Sequence, residues 1–270
     1  MPRILYGAEP AKKIKDWIIE KIPNKRAMLA IVKVGNNPAS EIYVRNKVKD
    51  CEECGFGATV YHLPESVTPL VFTEVIEELN ENNLITGIIV QKPLPAGLPN
   101  PAGLIDPAKD IDCFTIKNMG KLYQGIPAFQ PCTPHGIMLL LEHYGINVTG
   151  MNCVVIGRSE IVGKPMAILL TQADATVTLC HSKTRNLEFY TKNADLIVCA
   201  IGSPKFLKAD MIKEGAILID VGINRDENGS LCGDIDYDDV YEKCGAITPV
   251  PGGVGLMTRA AMLENLWLSQ

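Results

Sequence analysis

The chain alternates between helical and extended patterns of apolar residues. A helical spacing predicts the first helix over residues 8–22, with its apolar positions at Ala11, Ile14, Ile18 and Ile22. Three short apolar runs are typical of buried strands and cover residues 28–35, 58–64 and 85–95. Because helical segments separate these runs, they predict the parallel strands of an α/β sheet.

The two helices between these strands carry clear boundary signals. Residues 38–55 predict a helix closed by Gly55, because glycine readily takes the left-handed conformation that ends a helix. Thr68 followed by Pro69 is typical of a helix start, with a hydroxyl cap and then proline in the first turn. We expect this second helix to bury five side chains: Val71, Phe72, Val75, Ile76 and Leu79.

The second half also alternates helices and strands, with different residues at their boundaries. Thr133 and Pro134 again predict a helix start, and four β-branched runs follow at residues 152–157, 175–182, 195–202 and 216–225. A loop rich in proline and glycine (93–107) precedes this half. We therefore predict two α/β lobes with parallel sheets and a cleft between them. The catalytic lobe comprises 1–115 plus 256–270, and a Rossmann-like nucleotide lobe comprises 116–255.

Composition narrows the classes of function. A formal charge of −5 and an aromatic content of 6% do not suit a nucleic-acid partner, which usually needs a basic face. The nine cysteines are scattered, and the one CxxC (Cys51–Cys54) has no second pair to complete a zinc site. With four dispersed histidines, we expect no metal. The absence of an apolar leader or membrane-length segment, together with free thiols, predicts a cytosolic protein.

The turn after the first strand of the second lobe predicts a dinucleotide site. The spacing from Gly157 through Ser159 to Gly163 resembles a Rossmann turn in which serine replaces the second glycine. Such a turn places backbone donors at a helix N-terminus, where they hold a pyrophosphate. Taken alone, this motif is weak, and an ordinary strand-to-helix turn would often be the better interpretation.

The end of the next strand favours NADP over NAD. NAD sites usually place an acid there to bind the ribose 2′-hydroxyl, whereas this chain has His181, Ser182 and Lys183. Arg158 and Ser182 would instead bind a 2′-phosphate through a charge-assisted contact and a hydroxyl donor. Without that strand pattern, Arg158 would be interpreted as an ordinary surface arginine.

The first lobe contains candidate chemistry of its own. Tyr43 and Lys47 are four residues apart, so they share one helix face, where a ring can stack on a heterocycle while the amine reaches its edge. Gln91 follows the third strand, at the sheet edge where α/β proteins bind ligands. Asp110 and Asp112 flank an apolar residue. The ordinary interpretations are a half-buried ring, a snorkelling lysine and turn-forming aspartates.

Eight motifs in order resemble the bifunctional methylenetetrahydrofolate dehydrogenase/cyclohydrolase family. They are YVRNK, VQKPLP, PAKDID, PCTPHG, VVIGRSEIVGKP, ATVTLCHSKT, DVGIN and ITPVPGGVGLMT. The resemblance covers nearly the whole chain. It implies NADP-dependent oxidation of 5,10-methylenetetrahydrofolate to the methenyl form, hydrolysis of that product to 10-formyltetrahydrofolate, and a homodimer.

The resemblance also implies roles for individual residues. Lys47 would be the central catalytic group, Tyr43 would stack on the folate, Gln91 would orient the lysine, and Asp112 would bind the pterin ring. The folate site would be lined by Val90, Lys92, Pro251, Gly252, Gly253, Val254 and Gly255. The NADP contacts would be Gly157, Arg158, Ser159, Ser182 and Ile223.

Three residues depart from the family pattern. Cys113 stands where glycine is usual, Lys92 where leucine is usual, and Leu256 where proline is usual. These departures leave open a dehydrogenase without cyclohydrolase activity and a non-catalytic folate- or nucleotide-binding protein. A third alternative, another Rossmann oxidoreductase such as a small-acid dehydrogenase, would not account for YVRNK or PVPGGVG.

Overall fold

The computed structural model describes residues 1–21, 27–126 and 128–270, which fold into two compact units. Among these residues, Met1–Lys12 with Thr133–Thr258 contain a sheet of six strands and form the six-stranded unit. Lys13–Cys132 with Arg259–Gln270 contain a sheet of three strands and form the three-stranded unit. Ile22, expected to end the first helix, lies outside the described residues.

Helices and strands alternate through the described residues. The first half comprises β1 (Arg3–Ile4), α1 (Ala8–Lys21), β2 (Met28–Val34), α2 (Pro38–Glu53), β3 (Gly57–Leu63), α3 (Pro69–Glu81), β4 (Gly87–Val90) and α4 (Ile116–Gln124). The second half comprises α5 (Cys132–His143), β5 (Asn152–Ile156), α6 (Gly163–Gln172), β6 (Thr176–Cys180), α7 (Leu187–Thr191), β7 (Leu196–Cys199), β8 (Ile217–Asp220), β9 (Asn224–Arg225), β10 (Leu231–Cys232), α8 (Tyr237–Val240), β11 (Ala246–Ile247) and α9 (Val254–Leu268). Short 3₁₀ turns lie at Pro101–Gly103 and Ala209–Met211.

The three-stranded sheet is parallel, with β2 between β3 and β4. Six of the seven residues of β2 are buried, as expected for a central strand covered on both faces. Helix α3 buries Phe72, Ile76 and Leu79 at helical spacing against this sheet. The prediction that Val71 is buried is wrong: its side chain is 43% exposed, because it lies beside this stripe rather than on it.

The Thr–Pro signal predicts the start of α3 correctly and the start of α5 less accurately. Thr68 caps α3, and its side chain accepts a hydrogen bond from the Val71 N–H. Helix α5, however, begins at Cys132, one residue before the predicted cap. The Thr133 hydroxyl accepts a hydrogen bond from the Thr258 hydroxyl at 3.1 Å. A tertiary contact therefore occupies the group that the sequence pattern had assigned to capping.

The six-stranded sheet is also parallel, in the order β1-β11-β8-β7-β5-β6. The chain passes from β5 to β6 on one side and returns to β7 on the other side of β5. This reversal is the topological switch point at which doubly wound sheets bind ligands, beyond the carboxyl ends of their strands. The predicted α/β class with a Rossmann-like second sheet is therefore confirmed.

The first residues of the chain belong to the six-stranded unit because β1 pairs with β11. The same division places α4 in the three-stranded unit. Within the described residues, no helix combines the length and apolar character needed to cross a bilayer.

Candidate active site

Lys47 and Tyr43 lie one turn apart on α2, and both side chains are half-buried. The Lys47 amine donates a hydrogen bond to Gln91 Oε1 at 3.2 Å. Burial raises the pKa of the Tyr43 hydroxyl above its ordinary value, and the charge of Arg259 opposes that rise. The helix therefore presents a neutral phenol ring and a tethered amine on one face.

Gln91 is held at the end of β4 by its own backbone and amide. Its backbone N–H donates to Val32 O at 2.8 Å, which continues the sheet by one residue beyond Val90. Its side-chain Nε2 donates to Lys92 O at 2.9 Å. Because the amide nitrogen has this partner, the amide oxygen is directed at the Lys47 amine. Local backbone structure thus fixes the acceptor that Lys47 uses.

Asp112 interacts electrostatically with Lys47. Burial raises the pKa of its carboxyl above the ordinary value, and the charge of nearby Lys47 opposes the rise. The Cys132 thiol, which is itself buried, shares a hydrogen bond with this carboxyl. A small cavity of about 20 Å³ is bordered by Val90, Lys92 and Asp112. The structure therefore brings Lys47, Gln91 and Asp112 together within the three-stranded unit.

Asp110 is a structural residue, in contrast to Asp112. It is 1% exposed, and its carboxylate accepts hydrogen bonds from the N–H groups of Phe114 (3.0 Å) and Thr115 (2.8 Å) and from the Asn118 amide (3.0 Å). These bonds form the turn that leads into α4. The turn interpretation of the aspartates is thus correct for Asp110.

Asn265 on α9 was missed by the sequence analysis, although it supports the Asp112 segment. It is 1% exposed, and its amide nitrogen donates to Ile111 O at 2.9 Å and Gln130 O at 2.7 Å. The same nitrogen lies 3.8 Å from Cys132 Sγ. A polar residue within the apolar helix AAMLENLWL was the available signal, because a buried amide needs hydrogen-bond partners.

Cys113 adopts a backbone conformation that suits glycine. Its φ is +59°, in the left-handed region, and its side chain is fully buried. The thiol donates a hydrogen bond to Phe129 O at 3.0 Å. Cysteine at this position therefore keeps the backbone geometry of a glycine and adds one tertiary contact next to Asp112.

Lys92 and Leu256, the other two departures, are both compatible with their surroundings. The Lys92 side chain is exposed and its amine lies 5.4 Å from the centre of the Phe114 ring. That distance allows a cation–π contact. The Leu256 N–H donates to Gly253 O at 3.2 Å, a bond that proline could not make.

The PVPGGVG segment (249–255) leads into the first turn of α9, and residues up to Thr258 lie in the six-stranded unit. The Val250–Pro251 peptide is cis and Gly252 has a φ of +110°. A Cβ on Gly253 would lie 2.7 Å from Pro249 O, so a larger residue would displace the backbone. Helix α9 begins at Val254, and Gly255 lies in its first turn. This conformation therefore depends on the glycines.

The turn after β5 has the close backbone approach that a dinucleotide requires. Gly157 has a φ of +118°, and a Cβ there would lie 2.2 Å from Ala200 O. A Cβ on Gly163 would lie 2.0 Å from Gly157 O. The Ser159 hydroxyl accepts hydrogen bonds from the N–H groups of Val162 and Gly163, at 3.2 and 3.3 Å, and retains its own proton to donate. These features fit a pyrophosphate at the α6 N-terminus.

Arg158 and Ser182 lie at the same edge of the six-stranded sheet. β5 and β6 are parallel and in register at Ile156 and Cys180, and Arg158 and Ser182 each follow their strand end by two positions. Both side chains are exposed, and their positive and hydroxyl character suits a 2′-phosphate. Ile223, after β8, is 52% exposed. The guanidinium of Arg158 and the hydroxyl of Ser182 therefore suit the 2′-phosphate of NADP.

Two further observations concern regions outside these candidate sites. A cavity of about 580 Å³ lies in the three-stranded unit beside Lys117 and Lys121, and no predicted site residue lines it. Among residues 1–21, 27–126 and 128–270, no group of three His, Cys, Asp or Glu side chains could hold a metal ion.

Comparison with known proteins identifies the relatives of this chain. Residues 5–112 match the sequence model for the tetrahydrofolate dehydrogenase/cyclohydrolase catalytic domain, and residues 131–270 match that for the NAD(P)-binding domain. The bifunctional protein FolD of Lachnoclostridium phytofermentans is 48% identical over 98% of this chain and 96% of its own length.

Solved structures agree. FolD from Campylobacter jejuni superposes with a TM-score of 0.96 at 45% identity and covers 100% of this chain and 98% of its own. FolD from Trypanosoma brucei, solved with NADP cofactor and an inhibitor, has a TM-score of 0.93 at 34% identity and covers 99% of this chain and 96% of its own.

Proposed function

Because the chain belongs to the tetrahydrofolate dehydrogenase/cyclohydrolase family, we infer that it oxidises 5,10-methylenetetrahydrofolate with NADP and hydrolyses the methenyl product to 10-formyltetrahydrofolate. The resemblance noted in the sequence is confirmed by both family models and by relatives over nearly the whole chain. The protein is therefore a bifunctional enzyme, and NADP is its cofactor.

We propose that the two chemistries use different units. The three-stranded unit contains Tyr43, Lys47, Gln91 and Asp112, which supports a role in folate chemistry. The six-stranded unit contains the Gly157 turn and the switch point of the sheet, which supports binding of the dinucleotide. This division modifies the predicted boundary near residue 115 by assigning α4 to the folate unit and residues 1–12 to the nucleotide unit.

The oxidation requires alignment more than acid–base catalysis. The lone pairs of the two folate nitrogens stabilise the cation that forms as the bridging carbon loses a hydride, and NADP when bound supplies the hydride acceptor. Protein groups then contribute mainly by holding the two rings in contact. Tyr43 is suited to stacking on the folate ring because it is half-buried on a rigid helix.

Hydrolysis requires a group that handles a proton. Water adds to the bridging carbon of the methenyl cation, one carbon–nitrogen bond breaks, and the freed nitrogen keeps one of the two water protons. The other proton leaves, so the reaction releases one proton overall. Lys47 is the residue we assign to this transfer, with Gln91 Oε1 holding its amine in place at 3.2 Å.

Asp112 is assigned to binding the folate ring. Burial raises the pKa of its carboxyl, so a proton is retained there more readily than in water. A carboxyl in this state can donate to a ring nitrogen or accept from a ring amino group. Val90 and Lys92 border the same cavity as Asp112, which supports their assignment to the folate site. Pro251, Gly252, Gly253, Val254 and Gly255 stay predicted folate contacts, on the family resemblance alone.

The nucleotide contacts are proposed on the geometry of the β5 and β6 ends. Gly157 and Ser159 would hold the pyrophosphate at the start of α6, while Arg158 and Ser182 would hold the 2′-phosphate. Ile223 would cover one side of the cofactor with its exposed apolar side chain.

The hydrogen bond between Lys47 and Gln91 carries the cyclohydrolase proposal, because it places a tethered amine in the same cluster as Asp112. Lys47→Met keeps the length of the side chain and removes the amine. We expect loss of methenyl hydrolysis by at least about 100-fold, in the range of general acid–base catalysis, while NADP still binds.

Lys49→Met is the matched control, because Lys49 lies on the same helix and its side chain is 72% exposed. Hydrolysis is followed by the absorbance of the methenyl species, and NADP binding by calorimetry. Normal hydrolysis in Lys47→Met would contradict the assigned role. Accumulation of the methenyl species by the unmodified enzyme would identify a dehydrogenase without cyclohydrolase activity.

We further propose a cytosolic homodimer. All nine cysteines are free thiols, which supports a reducing compartment. The dimer rests on the family resemblance alone, and light scattering of the purified protein tests it directly. A mass near 29.4 kDa, that of one chain, would reject it.

A further inference from the structure

Two carboxylates are buried in the six-stranded unit, away from the groups assigned to substrate chemistry. Asp220 ends β8 and is 4% exposed, and Asp234 follows β10 and is fully buried. In the described part of the chain, each hydrogen bond to these two carboxylates comes from a backbone or amide N–H group. A buried carboxyl group that is satisfied by neutral N–H donors fixes the geometry of those donors.

Asp234 accepts hydrogen bonds from the loop that follows β7 and from the Asn224 side chain at the start of β9. Its Oδ2 accepts the N–H groups of Ile201 (2.6 Å) and Gly202 (3.0 Å), and its Oδ1 accepts that of Ser203 (2.8 Å). Oδ1 also accepts from the Asn224 amide at 2.8 Å. Three successive N–H groups converging on one carboxylate resemble an anion-binding nest, filled in this protein by its own side chain.

Asp220 in turn supports Asp234. Its Oδ1 accepts the N–H groups of Gly222 and Asp234, both at 2.9 Å, and its Oδ2 accepts that of Ile235 at 2.9 Å. A Cβ on Gly222 would lie 2.3 Å from Asp234 Oδ1, and one on Gly233 would lie 1.8 Å from Asp220 Oδ2. The backbone therefore packs directly against both carboxylates, and neither segment can shift without the other.

The segments held in this way adjoin the proposed dinucleotide site. β7 and β8 are parallel and in register at Cys199 and Asp220, so residues 200–203 and 221–224 leave the sheet side by side. Gly157 approaches Ala200 so closely that a Cβ would contact its carbonyl oxygen. Ile223, assigned to the cofactor, lies immediately before the Asn224 that Asp234 holds.

We propose that Asp234, supported by Asp220, is a positioning residue for NADP, because it fixes the loop Ile201–Ser203 against the segment Ile223–Asn224. The inference rests on the proposed nucleotide site. It also implies that the N–H groups of Ile201, Gly202 and Ser203 are committed to Asp234. The loop then contacts the cofactor through other groups.

Asp234→Asn tests the proposal, because the variant keeps the size of the side chain but loses the charge and presents an amide nitrogen to N–H donors. We expect the Kd for NADP, measured by calorimetry, to rise at least about tenfold, since charge-assisted bonds to three N–H groups are weakened. Hydrolysis of methenyltetrahydrofolate needs no NADP and should stay within about twofold of the unmodified enzyme. Asp238→Asn, an exposed change of the same charge in the same unit, should alter neither.

Asn224→Ala provides a second test that leaves the carboxylate in place and removes one of its four donors. A rise of about threefold in the Kd for NADP is expected, with hydrolysis unchanged. An unchanged Kd in Asp234→Asn, or in Asn224→Ala where Asp234→Asn does not fold, overturns the proposal. An equal loss of NADP binding and hydrolysis in both variants also overturns it, because that result indicates a general structural role.

Failure of the proposed function gives a different result. In that case the unmodified protein itself would show neither NADP binding nor NADP-dependent oxidation of methylenetetrahydrofolate. The variants could then show no decrease in either property.

Discussion

The left-handed backbone at Cys113 leads to a prediction about the relative stability of two variants. At an ordinary buried site, alanine is more stable than glycine, because glycine loses more backbone freedom on folding and buries no methyl group. At a φ of +59° this difference is expected to disappear, because a side chain in this region costs about 1–2 kcal/mol that glycine does not incur. Cys113→Ala and Cys113→Gly therefore separate backbone strain from packing.

The magnitudes follow from the surroundings of Cys113. Both variants lose the thiol bond to Phe129 O, about 1 kcal/mol, and the burial of the sulfur, on the order of 1 kcal/mol. Glycine also loses a buried methyl, about 0.8 kcal/mol, and the backbone restriction of a Cβ, about 0.4–1 kcal/mol. Relief of strain offsets these two losses, so we expect the glycine and alanine variants to agree within about 0.5 kcal/mol.

Cys51 provides a matched control in the same unit. It is fully buried in α2, where glycine is expected to be less stable than alanine by about 2 kcal/mol, from helix propensity and the lost methyl together. Urea unfolding followed by tryptophan fluorescence is suitable, because both tryptophans of the chain, Trp17 and Trp267, lie in the three-stranded unit. Their rings are 4.7 Å apart.

The decisive result is the difference between the two pairs of variants. If Cys113→Gly is less stable than Cys113→Ala by about 2 kcal/mol, as expected at Cys51, then the backbone at residue 113 carries no strain that glycine relieves. The left-handed φ of Cys113 would then be no reason to prefer glycine at that position.

Two further predictions concern the six-stranded unit. Arg158→Ala should weaken NADP binding by about 10- to 100-fold, the range expected for loss of a hydrogen bond to a charged group, and should change NAD binding little. Equal losses of affinity for the two cofactors in calorimetric titrations would reject the 2′-phosphate contact. Burial raises the pKa of Asp220 from an ordinary 3.8 to about 7, so the folded state binds this proton more tightly than the unfolded state. The free energy of unfolding should therefore fall as pH rises from about 4 to about 7, by up to about 4 kcal/mol at 1.36 kcal/mol per pKa unit, and Asp220→Asn should lack this component. Urea unfolding followed by circular dichroism at about pH 4 and about pH 8 measures this change, and identical pH dependence in both proteins would contradict the assignment.

Short-range patterns predicted much of the local structure. The start of α3 at Thr68 and Pro69, the end of α2 near Gly55 and the buried strands of both sheets all follow from residues within one turn or one strand. The four-residue spacing of Tyr43 and Lys47 likewise places them on one helix face without reference to the rest of the fold. These features are readable because helix caps and periodic burial act over only a few residues.

Other features were decided by tertiary structure. Asp110 and Asp112 lie in the same short motif, yet the carboxyl of Asp112 interacts with the charge of Lys47 while that of Asp110 accepts the hydrogen bonds of a turn. Asn265 bonds to a carbonyl 154 positions away, and β1 pairs with a strand near the other end of the chain. The physical reason is that a buried polar group must find its partner wherever the fold brings one, so its role is set by contacts that no local spacing records.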